Sequence, residues 1–195
     1  MIVAVVLAAG LSKRIGRPKA LLRYKKQSFL NHILINLQTA GINNIFVVLG
    51  QEFDRVKGSF SNKNPYIFIH NPHPEEGPLS SFKLALQKMP RETQGCLLVL
   101  VDHPLVTAET YRYIKYLGEK HQDAILIPVF KGQNGHPVYF GKKFFPQLLQ
   151  APLTEGARYV VHHNQQAIHK FETDDHGVIA DIDTKDDFDL YINNG

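Results

Sequence analysis

The chain has 195 residues, with 44% hydrophobic and 21% charged residues and a net charge of +4. The length suits one domain that buries an ordinary core without staples. The mild positive charge favours anionic small molecules, and no nucleic-acid-binding signature accompanies it. The lone Cys96 excludes a disulfide within the chain and, set in the run "GCLLVLV", reads as a buried structural thiol. The apolar start "MIVAVVLAAG" is too short for a membrane span and has no basic region before it, so the expectation is a cytoplasmic protein without a membrane partner. In chain order, "IVAVVLA" reads as a strand buried on both faces. "FLNHILINLQTAG" follows as a helix, with Gly41 suited to its C-terminal cap. "NIFVVLG" and "YIFIH" are strands, "LSSFKLALQKM" a helix, and "GCLLVLV" a central strand. Thr107 caps a helix through "AETYRYIKYLGEK". "AILIPVF" and "HPVYF" are strands around the turn "KGQNG". Thr154 is expected to cap a helix through "EGARYVVHH", and "AIHKFET" and "VIADI" are expected as strands joined at "DDHG". Thr184 with Asp187 three residues on forms a capping box.

Such alternation predicts an α/β fold: a three-layer α/β/α sandwich, Rossmann-like, around a mostly parallel sheet. Ligands of such sheets bind beyond the carboxyl ends of the strands. Three segments stand there: the stretch "LAAGLSKRIGRPKALL" at 7–22, "DHP" at 102–104 and "DIDT" at 181–184.

The first of these is a glycine turn loaded with positive charge. It fails the P-loop pattern, because Gly10 and Gly16 are followed by Arg17 and Pro18 where lysine and a hydroxyl residue are required. It also fails the dinucleotide fingerprint, because Leu11 and Ser12 follow Gly10. What remains is a turn whose backbone N–H groups near Ala9 and Gly10 can cradle phosphate, with Arg14 as a forked donor and Lys19 as a point charge. Asp102 directly follows a strand, so its carboxylate is expected at the sheet edge.

These residues carry a resemblance. "LAAGLSKRIGRPKALL" resembles the opening signature of the nucleotidyltransferases that make molybdopterin dinucleotide cofactors, with Ile15 in place of the usual Met or Phe. "EEGPLSSFKLAL", "LVLVDHPLVT", "GQNGHPVYF" and "VIADIDTKDDF" follow in the family's order, so the resemblance runs over nearly the whole chain. It implies a nucleotide-diphospho-sugar-transferase type of fold and a single nucleotidyltransferase domain over 1–195. Ala9, in place of a second glycine, and the Ser80–Ser81 pair after "GPL" are similar to the CTP-using members, the molybdenum cofactor cytidylyltransferases.

The implied reaction transfers CMP from CTP to the phosphate of molybdopterin and releases pyrophosphate. The implied cofactor is Mg²⁺, held by Asp102 together with Asp181 or Asp183. The implied catalytic residues are Arg14, Lys19 and Asp102. Leu7, Ala8, Ala9, Gly10, Arg14, Lys19, Gly77 and Ser81 would hold the nucleotide, and Ser80 and His136 the phosphorylated pterin. A molybdenum hydroxylase is a further possible partner. The alternatives are another phosphorylated acceptor (GTP with molybdopterin, or a sugar or polyol phosphate) and a non-catalytic molybdenum-cofactor accessory protein. Of the ten histidines, most read as surface or loop groups. His103 stands where the family commonly has Met or Gln, beside Asp102.

Overall fold

The computed structural model describes residues 1–10, 16–24, 26–60 and 65–193. Its strands are β1 (Ile2–Ala8), β2 (Arg23–Tyr24), β3 (Gln27–Ser28), β4 (Ile45–Leu49), β5 (Ile67–His70), β6 (Gly95–Leu100), β7 (Ile125–Phe130), β8 (Gln133–Asn134), β9 (Val138–Gly141) and β10 (Ile168–Glu172). The α-helices are α1 (Phe29–Thr39), α2 (Phe53–Gly58), α3 (Pro78–Leu86), α4 (Ala108–Lys120), α5 (Phe145–Gln150), α6 (Arg158–His163) and α7 (Lys185–Phe188). No helix among the described residues is long and apolar enough to cross a membrane.

The main sheet runs β10-β7-β9-β6-β1-β4-β5, with β8 folded back on β7 and β2-β3 set apart as a small ribbon. Strand β1 pairs in parallel with both β4 and β6, and β4 with β5. Strand β9 is inserted antiparallel between β6 and β7. The sheet is mostly parallel, as the alternation of elements predicts. Layering follows from the period-two geometry of a strand. Ala4 and Val6 of β1 pack with Phe29, Ile33 and Tyr111 on one face. Val3, Val5 and Leu7 pack with Leu79, Phe82 and Val160 on the other. Helices therefore cover both faces, and β1 lies fully inside. Cys96 is buried within that second layer, where desolvation pushes its thiol pKa far upward and leaves it inert.

Local rules set the helix ends. Ser28 and Thr107 accept the backbone N–H groups of Asn31 and Thr110. Thr184 and Asp187 form the expected capping box. Gly41, at φ 75°, stands just past α1 in the left-handed region that glycine tolerates. The β7–β8 hairpin turns on Lys131 and Gly132, both at positive φ.

Two expectations fail. Thr154 caps nothing: α6 begins at Arg158, with Ala157 at its N-cap and no side-chain cap. The stretch "VIADI" is no strand. Val178 ends a 3₁₀ turn, and the following residues form an irregular strap. The strap is fastened at two points. The Val178 carbonyl accepts from the His136 N–H at 2.8 Å, and the Ile182 N–H donates to the Asp102 carbonyl at 2.9 Å. Val178, Ala180 and Ile182 are buried, while Ile179, Asp181 and Asp183 between and after them are not. The alternation that predicts a strand is therefore real, but its backbone groups are satisfied by single bonds in place of a ladder.

Candidate active site

Parallel strands β1, β4 and β6 end side by side, and the chain immediately beyond each contributes to one wall. Leu7, Ala8, Ala9 and Gly10 follow or close β1, and Gly50 follows β4 directly. A Cβ on Gly50 would stand 2.6 Å from the Ala9 carbonyl oxygen and 3.3 Å from the Pro74 side chain. Only glycine permits this approach, so the end of β4 props the turn after β1. Leu7, Ala8, Ala9, Gly10, Lys19, Gly77, Ser81, Asp102 and Asp183 all line one cleft of about 630 Å³. Helix α3 begins at this cleft, with Gly77 at its N-cap and Pro78 in its first turn. Its N-terminal N–H groups and dipole favour an anion there.

Ser80 stands apart from the cleft wall. The Asn71 amide donates to both Ser80 Oγ and Ser81 Oγ at 2.9 Å, and its carbonyl oxygen accepts from the His73 N–H. Ser80 Oγ in turn donates to the Gly77 carbonyl at 2.8 Å. The hydroxyl therefore braces the loop that leads into α3, and only Ser81 faces the cleft.

Charge converges from three distant segments. Pro18 leads into a 3₁₀ turn at Lys19–Leu21, from which the Lys19 ammonium reaches across the cleft. It lies 3.2 Å from Asp102 Oδ2 and forms a second ion pair with Asp183 Oδ1. Burial works against this ammonium, but the Asp102 and Asp183 carboxylates outweigh it and hold the Lys19 pKa above the ordinary lysine value. Asp183 is aimed by the capping box beside it: Asp187 Oδ2 accepts from the N–H groups of Asp183 and Thr184. Asp102 is aimed by the end of β6, where the Val101 N–H still donates to the Leu7 carbonyl. Arg14, the other expected phosphate clamp, lies outside the described residues.

A second cluster shares Asp102. One ligating atom each from Asp102, His103 and Asp181 lie within 4.8 Å of one another. Asp102 Oδ1 is buried and has no hydrogen-bond partner among the described residues. Partial burial, with the carboxylates of Asp102 and Asp183 nearby, pushes the Asp181 pKa upward, opposed by His103 and Lys19. A carboxylate pair of this kind suits a divalent cation: the buried oxygen needs a partner, and the crowded negative charge needs neutralising. Asp181 and Asp183, adjacent in sequence but for one residue, thus point to different company. Asp183 pairs with Lys19, and Asp181 sits with Asp102 and His103.

His136 is placed behind this cluster. It precedes β9 through a cis bond to Pro137, and its ring centroid is 5.1 Å from that of His103. Burial and the neighbouring His103 lower its pKa to about 4, against the pull of the Asp102 carboxylate. It is neutral at pH 7 and does not line the cleft of the nucleotide turn. Three contributors escape sequence reasoning. Gly50 and Asn71 are single residues at strand ends whose partners lie elsewhere in the chain. Asp175 ties the start of α4 to the turn that leads into the strap, where Oδ2 accepts from the Thr107 N–H at 2.9 Å and the Thr110 hydroxyl at 2.6 Å.

Known proteins resemble this chain in sequence and fold. A model of the MobA-like NTP transferase domain matches residues 4–168. The molybdenum cofactor cytidylyltransferase of Escherichia coli (strain K12) is 30% identical over 185 residues, covering 94% of this chain and 92% of that protein. The bifunctional protein GlmU of Staphylococcus haemolyticus is 30% identical over 128 residues, 64% of this chain and 28% of its own length. Among solved structures, Rv0371c from Mycobacterium tuberculosis H37Rv superposes with a TM-score of 0.85 at 28% identity, covering 98% of this chain and 97% of that one. The manganese complex of Rv0371c gives a TM-score of 0.81 at 26% identity, covering 100% and 99%.

Proposed function

The chain belongs to the MobA-like NTP transferase family, and from that premise we propose that this nucleotidyltransferase moves CMP from CTP onto a phosphorylated pterin. An acceptor phosphate oxygen attacks the α-phosphorus of CTP, and the bond to the departing pyrophosphate breaks. The observation that carries the choice of substrates is the 30% identity with a molybdenum cofactor cytidylyltransferase over 94% of this chain. Ala9 supports the choice of base: its methyl group narrows the cleft by an amount worth about 1–3 kcal/mol against a larger purine. On this reading residues 1–195 act as one nucleotidyltransferase domain.

Transfers of this kind depend on positioning and charge stabilisation. The turn at Ala8–Gly10 and the start of α3 orient the nucleotide through backbone N–H groups. Lys19 leaves its two carboxylates for the triphosphate and stabilises the charge that accumulates as pyrophosphate departs; Arg14 shares that role. Asp102 and Asp181 would hold a divalent cation on their oxygen donors, which would supply neutralisation of phosphate charge when bound. Ser80 and His136 belong to the acceptor side as supports, one bracing the α3 loop and the other backing His103.

The test is pyrophosphate release from purified protein given Mg²⁺, molybdopterin and either CTP or GTP. CTP-dependent release with GTP at least about tenfold slower is expected. Turnover with GTP alone, or with a sugar phosphate in place of the pterin, overturns the substrate assignment.

A further inference from the structure

We propose that His103 is a third ligand of the cation held by Asp102 and Asp181, and that it makes this site select a transition-metal dication such as Mn²⁺ over Mg²⁺. The inference rests on the nucleotidyltransferase reading and names the metal class of that same site. The three side chains present ligating atoms within 4.8 Å of one another. His103 is only 7% exposed, and its Nδ1 is buried without a hydrogen-bond partner among the described residues, as is Asp102 Oδ1. Two unpartnered buried polar atoms on consecutive residues, beside a third donor, describe a place where an ion belongs.

The ring is also held. The His103 backbone N–H donates to the Leu100 carbonyl at 3.2 Å, which fixes a tight turn after β6 and so the base of the side chain. The His136 ring packs against it, and the His136 backbone is fastened to Val178 on the strap that carries Asp181. The imidazole and the second carboxylate are therefore positioned by one connected piece of structure. Two carboxylates and one imidazole form a mixed oxygen and nitrogen donor set. Mg²⁺ prefers oxygen ligands at near-ideal octahedral geometry and keeps its waters. Ions of the manganese-to-zinc series accept imidazole nitrogen.

Pulsed electron paramagnetic resonance of the Mn²⁺-loaded full chain reads this directly, with and without a non-hydrolysable CTP analogue. The expected spectrum shows nitrogen coupling that changes when histidine is labelled with nitrogen-15. His103→Gln loses the coupling and binds Mn²⁺ about tenfold more weakly, while Mg²⁺ affinity by competition changes less. His136→Asn keeps the coupling. Should His103→Gln fail to fold, His103→Asn serves as the second variant. No histidine coupling in the wild type, coupling that survives in a folded His103 variant, or no Mn²⁺ binding in either state overturns the proposal. CTP turnover without the coupling faults this inference alone; coupling without any nucleotidyl transfer faults the enzymatic reading alone.

Discussion

Gly50→Ala tests whether the end of β4 sets the shape of the nucleotide turn. The added methyl would sit 2.6 Å from the Ala9 carbonyl oxygen, where ordinary contact begins at 3.4 Å. One of the two strand ends must therefore yield by about 0.8 Å. Pro74, at 3.3 Å from the same methyl, is a second tight contact that limits how Gly50 can shift, so the Ala9 turn takes much of the displacement. Overpacking of this kind costs about 1–3 kcal/mol, to be read from urea unfolding. A misplacement approaching 1 Å in a positioning element costs on the order of 10²-fold in kcat/KM. Steady-state pyrophosphate release at varied CTP measures the second effect. Gly10→Ala is the control: nothing among the described residues stands within 4 Å of its new methyl, so its urea midpoint is expected near the wild-type value even where the methyl hinders phosphate approach. A Gly50→Ala protein with wild-type kcat/KM for CTP would refute the idea that β4 props the turn.

Asp102→Asn preserves shape but removes the charge shared by Lys19 and the metal site, and pyrophosphate release is expected to fall by about 10²–10³-fold; activity within about threefold of wild type contradicts its role. Lys19→Met raises the KM for CTP. It also tightens Mn²⁺ binding in the absence of nucleotide, because the ammonium no longer competes for Asp102; a titration showing weaker Mn²⁺ binding refutes the competition. The Thr184 hydroxyl, with the N–H groups of Thr184 and Asp183, holds the Asp187 carboxyl below its ordinary value of 3.8. A depressed carboxyl pKa stabilises the fold above the unfolded value and ceases to do so as pH falls through the folded one. The urea-midpoint difference between wild type and Asp187→Asn is therefore constant from about pH 5 to 7 and shrinks below about pH 4; a gap that widens on acidification refutes the sign.

How far the sequence discloses this structure depends on how local each signal is. Continuous apolar runs mark β1, β4 and β6, and the hydroxyl residues Thr107 and Thr184 mark helix starts, because those preferences act within a few residues. The strap at Val178–Ile182 misleads for a physical reason: an extended segment pressed on a core buries every second side chain whether or not a neighbour strand accepts its backbone. The glycine turn, Lys19 and Asp102 are legible as strand-end groups. The division of labour between Asp181 and Asp183 is not, since it is set by a lysine more than 160 positions away. The pairing of His103 with His136 is likewise set by the antiparallel course of β9, which no local pattern announces.

The order of the strands along the chain has a consequence during synthesis. Strand β1 receives β4 on one side early, but its other side waits for β6, near residue 95. Until then an apolar edge is open to unintended partners, the condition under which nascent chains need shelter. All the described strands lie between Ile2 and Glu172, whereas Asp181 and Asp183 come after them. Translation therefore completes the scaffold before it delivers the second carboxylate for the metal and the partner for Lys19.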